Sequence, residues 1–275
     1  MVLNGNDIKK FIKEKNIIEN YNENYIGSGS CDISMSSTIL KIKKISQPID
    51  LSDVEVIENM YEKKSIGDSY LFKPNECIFV VLNEKIKLPS NMVAHIRPRT
   101  SLSRLGIMIN FQHINAGYEG ILNIAMYNFS PNSYVLKPGM RIGQIVFEEL
   151  SKGVSEDILY TSEKTPIYQN EDGTKGSKIY ADFIGKVVRH FKGNYYFIED
   201  ISRDTETDED IVVYKPLYNR TDSMLWTRPV KKFFETIPDR PDNITGQKHR
   251  FELVEELSKD YVKEIKEKKE KEAKK

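Results

Sequence analysis

RPRTSLSRLGIMINFQHINAGYEGILNIAMYNFSPNSYVLKPGMRIGQIVF, running from Arg97 to Phe147, carries more specific chemistry than the remainder of the chain and decides how it folds. A short apolar run, Met92 to Ile96, breaks there into Arg97, Pro98, Arg99, Thr100, Ser101 and Ser103, with Arg104 one helical turn beyond Ser101. Three guanidiniums present fixed forks of N–H donors, and the hydroxyls and backbone amides of a helix start add more, a combination suited to a polyphosphate. Composition alone leaves a second reading equally open, a charged loop closed by a Ser/Thr cap.

The motif order separates the two. PRTSLSRLG resembles the GRSSLARLG motif of dCTP deaminases and the PRSGLA motif of dUTPases, two branches of one superfamily. HINAGYEG (His113 to Gly120) resembles the third motif of that superfamily, and PGMRIGQIVF (Pro138 to Phe147) resembles its fourth, with family spacing from Gly120 to Pro138. Linked motifs in the right order are far more specific than any one of them. The resemblance implies a nucleotide-binding domain over residues 1–184 with the distorted jelly-roll barrel of the dUTPases, a homotrimer with sites built between subunits, and a nucleotide as ligand. It places Arg99, Thr100, Ser101, Arg104, His113, Asn115, Tyr118, Gln144, Tyr160 and Tyr168 at the nucleotide, with Arg104 nearest the base. Two cofactor readings stay open, none or Mg²⁺ carried with the nucleotide.

Departures from the family pattern concern chemistry. The glutamate that activates water in the metal-free deaminases, in the pattern VLEFYN, aligns with Ala125 of NIAMYN. The aspartate of the third motif aligns with Asn115, an amide that hydrogen-bonds but is no base at neutral pH. A positioned acid or base contributes about 10²- to 10⁴-fold to rate, so neither ancestral reaction keeps its proton acceptor. Glu119 is the obvious substitute carboxylate. The loop between Arg99 and Gly117 is two residues shorter than in typical deaminases, which puts base selectivity in doubt. YQNEDGTKGSKI (Tyr168 to Ile179) resembles the closure that folds over the triphosphate, but the family's lysine and glutamine positions there align with Ile167 and Glu171.

Outside the motifs, 41 basic and 41 acidic residues balance, so bulk charge offers no argument for nucleic acid or an anionic membrane. No long apolar run or signal-peptide pattern is present, and a cytoplasmic protein without membrane association is expected. Cys31 and Cys77 are expected as reduced structural thiols. A zinc-dependent nucleobase deaminase needs a PCxxC pair, and the chain has no CxxC. Asn6 or Asp7 is expected to cap a first helix with Ile8, Phe11 and Ile12 on one face. GSGSCDISMS (Gly27 to Ser36) resembles the first motif, with Asp32 as its aspartate, read either as a turn residue or as an orienter of a phosphate site or metal. Runs around Leu40 to Lys43, Tyr70 to Phe72, Ile78 to Leu82, Ile107 to Ile109, Ile121 to Tyr127, Ser133 to Leu136 and Ile142 to Phe147 predict a mainly β domain, with no helical period between Lys41 and Leu82.

Residues 185–237 form a second unit. VRHFKGNYY, RDTET, VVYKPLY, WTRP and Phe233 resemble a small bacterial domain family of unknown function, and a small SH3-like β barrel is expected. Tyr195, Tyr196, Tyr214, Tyr218 and Trp226, beside Arg189, Lys192 and Arg228, either fill its core or form a stacking platform for a base or peptide. Residues 238–275 read as a linker, PDRPDN, followed by a C-terminal helix with Leu253, Leu257, Tyr261 and Ile265 on one face and a charged tail. The functional reading is a nucleoside triphosphate-binding protein with its catalytic carboxylates replaced, which sequesters or senses a nucleotide. The alternatives are an active pyrimidine dNTP enzyme, a dCTP deaminase or a Mg-dependent dUTP diphosphatase, and a trimeric scaffold that presents its C-terminal domain to a protein or nucleic-acid partner.

Overall fold

The computed structural model describes residues 1–161, 167–218 and 224–257. These group into two units, one of Met1–Lys44 with Met60–Gly176, the other of Ile45–Asn59 with the described chain from Ser177 onward. Among the described residues no helix is long and apolar enough to cross a membrane.

The chain opens with α1 (Gly5–Lys15) and the short β1 (Ile18–Glu19). Asn4 caps α1, rather than Asn6 or Asp7: its side-chain oxygen accepts from the backbone N–H groups of both, and its amide donates to Asp7 at 2.6 Å. The residue just before the first turn is the one whose oxygen reaches the unpaired amides. β2 (Cys31–Ile42) follows, then α2 (Val54–Asn59), β3 (Tyr61–Ser65), β4 (Tyr70–Phe72), β5 (Cys77–Lys87) and β6 (Met92–Pro98). The motif stretch supplies α3 (Thr100–Ser103), β7 (Ile107–Ile109), β8 (Gln112–Ile114), β9 (Glu119–Asn128), β10 (Tyr134–Leu136) and β11 (Arg141–Glu149). The main sheet runs β7-β9-β5-β2-β11-β6-β8 and curls around one apolar core that contains Phe72, Ile124, Met126, Ile145 and Phe147. β9 alternates strictly: Gly120, Leu122, Ile124, Met126 and Asn128 are buried, and the residues between them face outward. Asn128 is wholly buried and satisfied, donating to the Phe72 and Asn132 carbonyls and accepting from Ser130, which fixes the turn into β10.

α2 is a helix that the sequence pattern did not show. It is six residues long, too short for a period to register, and Asp53 accepts from the Val56 amide at its start. With residues 45–59 it belongs to the second unit, where Val54 joins the core, Asp53 pairs with Lys248 at 2.7 Å and Glu55 accepts from the Thr236 amide. Lys43 donates to the Met60 carbonyl and closes the neck of this excursion between β2 and β3.

The second unit contains β12 (Val187–His190), β13 (Tyr195–Arg203), β14 (Asp210–Pro216), β15 (Trp226–Pro229), α4 (Val230–Phe233) and β16 (Phe251–Leu253), with sheet order β15-β14-β13-β12-β16. The stretch read as a linker is built in: Asp242 pairs with Lys192 and Arg240, Asn243 donates to the Gln247 carbonyl, and Thr236 bridges His249. Leu253 lies in β16 opposite Val188, not on a helix, because the open edge of β12 offers it backbone partners. A helical turn begins at residue 255, and Tyr261 and Ile265 fall outside the described residues. Of the aromatic residues, Tyr196 and Tyr214 fill the core with Phe233 and Phe251, whereas Tyr195 and Tyr218 are exposed and Trp226 is half-buried.

His190 sits among the rings of Phe191, Tyr196 and Phe251. Burial first, and then the charges of Arg250, Arg228 and Lys192, push its pKa from 6.5 down to about 4, against a smaller opposing pull from Asp242. Between those two values the unfolded chain takes up a proton that the folded unit refuses, so stability is full above the ordinary value and falls as pH drops toward the folded one. Denaturant midpoints of the second unit should therefore decrease from pH 7 to pH 4.5, and His190→Gln should flatten that slope; a pH-independent difference between the two proteins contradicts the assignment.

Candidate functional site

β2, β11 and β6 lie side by side in the sheet, and their register decides which motif residues meet. Gln144 on β11 stands opposite Asp32 on β2 and Arg97 on β6, while Gly143 faces Pro98. A Cβ at Gly143 would come within 2.7 Å of the Ile109 side chain and 3.1 Å of the Arg97 carbonyl, so this motif glycine permits the close approach of the strands. Asp32, 7% exposed, becomes the meeting point of three motifs. It accepts from Gln144 at 3.0 Å and from Arg141 at 2.9 Å, and the Arg99 Nε lies 3.7 Å away. Arg99 also donates to the Arg141 carbonyl at 3.4 Å.

Beyond Arg99 the chain enters α3, whose start has no side-chain cap. Thr100, Ser101 and Arg104 are exposed and make no side-chain hydrogen bond or ion pair among the described residues. Arg97 lies over the Phe111 ring at 5.6 Å. The segment thus presents two hydroxyls and one unmatched guanidinium to solvent beside Arg99, whose orientation the buried carboxylate fixes.

A second group forms where β6 pairs with β8. His95 stands opposite His113, with their Nδ1 atoms 3.4 Å apart, and the other nitrogen of His113 lies 3.1 Å from the Asn115 side-chain oxygen. His95 Nε2 is 3.7 Å from Glu148, and burial, ahead of the opposing pull of that carboxylate, holds its pKa below the ordinary imidazole range. Ala125 lies apart from both groups, on the outward face of β9. Asn110 brackets it, donating its backbone N–H to the Ala125 carbonyl and accepting the Ala125 N–H with its side chain at 2.9 Å.

Glu119 does not have the setting of a substitute base. Lys85 at 2.5 Å and Lys87 at 3.3 Å hold it, and the Lys85 hydrogen bond leads the causes that lower its pKa. Carboxylates gripped in this way are weak proton acceptors. Tyr118 belongs to the core, not to an open ligand surface: it is 4% exposed, and a Cβ on Gly120 would press on its hydroxyl at 2.7 Å. Tyr160 packs against the Tyr118 ring at 5.8 Å, and its hydroxyl accepts the Tyr168 N–H at 3.3 Å. The closure segment then runs along β9, with Gln169 accepting from Glu119 and donating to the Gly117 carbonyl, Ile121 donating to the Glu171 carbonyl, and Asn123 holding the Gly173 and Lys175 carbonyls.

Sequence reasoning passed over Arg141 and Glu84. Glu84 is 1% exposed; burial raises its pKa, and its oxygens accept from the Ser34 backbone and hydroxyl. It lines a cleft of about 420 Å³ with Asn20, Tyr25 and Asn83, and Arg141 lies 5.0 Å above the Tyr25 ring. Arg141 stands inside the fourth motif, but no local pattern marks Glu84, because its partners come from across the sheet.

Motif residues of three strands gathered on one buried carboxylate, beside a short helix that offers free hydroxyls and a guanidinium, define a nucleotide-binding fold of the dCTP deaminase and dUTPase kind. The "dCTP deaminase-like" family model matches residues 2–150, and "Protein of unknown function (DUF1653)" matches residues 186–253. The chain belongs to the dCTP deaminase-like family, with a DUF1653 unit fused behind it. It is 31% identical over 186 residues to the "dCTP deaminase, dUMP-forming" of a Sulfurihydrogenibium species, covering 66% of this chain and 99% of that protein. A Methanopyrus kandleri protein of the same name is 29% identical, with 66% and 97% covered. Among solved structures, the 2'-deoxycytidine 5'-triphosphate deaminase of Agrobacterium tumefaciens aligns with TM-score 0.46 and 16% identity over 80% of this chain and 68% of its own. A DUF1653 protein from Bordetella bronchiseptica is 37% identical over 26% of this chain and 88% of its own, with TM-score 0.23.

Removal of the Asp32 carboxylate leaves Arg141 and Gln144 without their acceptor, and buried charge-assisted bonds are worth about 1.5–3 kcal/mol. Asp32→Ala should lower the unfolding free energy of the first unit by about that amount in urea titrations, whereas Glu119→Gln, at a partly exposed pair, should cost about 1 kcal/mol.

Proposed function

We propose that the first unit binds a (deoxy)nucleoside triphosphate and holds it without turnover, so that the protein sequesters or senses the nucleotide. The observation that carries this reading is a contrast between donors and acceptors. Thr100, Ser101 and Arg104 are exposed and uncommitted beside the anchored Arg99. The position matching the deaminase glutamate is Ala125, whose methyl transfers no proton, and the third-motif position is the amide Asn115. Glu119, the nearby carboxylate, is occupied by two lysines.

The phosphates fall to Arg99, Thr100, Ser101 and Arg104, with Gln144 supporting through Asp32. His113 and Asn115 face the sugar or base, and Tyr160 and Tyr168 the closing segment. Mg²⁺ accompanies the triphosphate as its counterion. In this reading the protein is a cytoplasmic homotrimer whose sites are completed between copies.

The alternative is an active pyrimidine dNTP enzyme, and the activity named for relatives that match over nearly their whole length favours it. Calorimetry with dCTP and dUTP in Mg²⁺, with product chromatography on the same samples, separates the two. Saturable binding near one nucleotide per chain without product supports the proposal; multiple turnover overturns it in favour of the alternative. Arg99→Ala should weaken binding by about 10- to 100-fold, the equivalent of about 1.5–3 kcal/mol for lost charge-assisted bonds. Ala125→Glu should bring measurable dCTP deamination to a protein that lacks it, and its failure while binding persists would show that more than the proton acceptor is missing.

A further inference from the structure

The second unit holds a cation that its own structure leaves unmatched. Arg228 lies on β15, two residues after Trp226 and so on the same face of the strand. Register places Arg228 opposite Val212 and Trp226 opposite Tyr214, and both partners are core residues. Arg228 is therefore on the inward face of the sheet at its rim, and its Nε is buried without a hydrogen-bond partner. No ion pair reaches it among the described residues, whereas its cationic neighbours are matched: Arg250 by Glu235, and Lys192 by Asp242. Buried guanidinium N–H groups cost free energy when left unpaired, so a vacancy of this kind asks for an acceptor. Arg189 has the same orphaned Nε, but strand alternation puts it on the opposite face from Val188 and His190, beside Glu252 on the neighbouring strand.

What surrounds Arg228 narrows the acceptor. Trp226 is half-buried and lies 5.9 Å from the Tyr196 ring, and Tyr218, 36% exposed, stands perpendicular to Tyr196 at 5.9 Å. These rings form an aromatic wall with one side toward solvent. His190 completes the inward face across the sheet, with its ring 6.3 Å from that of Tyr196. The Lys192 backbone N–H donates to His190 Nδ1 at 3.3 Å, which leaves the proton of the neutral imidazole on Nε2 as a further donor.

We propose that this face of the second unit is a nucleotide-binding site, in which a base stacks on Trp226 and Tyr218 while its phosphate takes the unmatched Arg228 guanidinium, with His190 as an additional donor. Aromatic faces hold a base of any identity, and the fixed guanidinium fork suits a phosphate. Two sources share this chemistry, a free mononucleotide and one nucleotide of a single strand. The site is independent of the triphosphate reading of the first unit.

Trp226 is the chain's one tryptophan, so its fluorescence reports on this site directly. The full-length protein is titrated with adenosine 5'-monophosphate, with adenosine, and with an eight-residue oligoadenylate. Saturable quenching by the monophosphate, at least tenfold tighter than by adenosine, assigns a free mononucleotide; quenching by the oligonucleotide alone assigns a strand. Arg228→Gln should weaken either by tenfold or more, Arg228→Lys should restore part of it, and Arg99→Ala should leave it unchanged. Absence of quenching by both probes overturns the proposal, as does equal affinity for adenosine and its monophosphate, or full affinity in Arg228→Gln. Should Arg228→Gln fail to fold, the comparison of adenosine with its monophosphate on the unaltered protein decides the matter.

Discussion

β2 hydrogen-bonds to β11 along its first residues and to β3 and β5 along the rest, so one strand fixes the register of both flanks of the first unit. A slip of one residue would turn Cys31, Ile33 and Met35 out of the core and carry Asp32 away from Gln144 and Arg141. Nearly everything at the candidate site follows from this. Asp32 is buried, its charge requires partners, and the register supplies Gln144 and Arg141 while leaving the carboxylate within 3.7 Å of the Arg99 Nε. An irregularity between Arg141 and Gly143 lets β11 serve β2 and β6 together, and Gly143 makes room for it.

The charges of the first unit divide into those already spent on the fold and those still available. Arg141, Lys85, Lys87 and Lys41 are each paired with a carboxylate. Thr100, Ser101 and Arg104 have no such obligation. The carboxylates show the reverse: Asp32 and Glu119 are both held by cations.

The second unit is assembled from two distant pieces of chain. Residues 45–59 leave the β2–β3 hairpin and contribute Val54 to a core dominated by Tyr214, Phe233 and Phe251. The ring packing there is dense, with Phe233 and Phe251 stacked at 4.0 Å, and it accounts for a small sheet that needs a borrowed segment to cover its apolar face. Burial among these rings is the first cause of the lowered His190 pKa, whereas the orphaned Nε of Arg228 is a polar feature that this packing does not explain by itself.

The sequence by itself determined most strands of the first unit and the order of its motifs, because alternation and short motifs are local properties that survive without knowledge of partners; the short β3 and β8 were not among them. It also marked Ala125 and Asn115 as departures, since those are questions of residue type. Only the tertiary structure decided that Asp32 anchors Arg99, that two lysines engage Glu119, that Tyr118 is core, and that residues 45–59 and 238–253 belong to the second unit. Each of these depends on which strand lies beside which, and a contact between residues more than a hundred positions apart, such as Arg141 with Asp32, leaves no trace in local spacing.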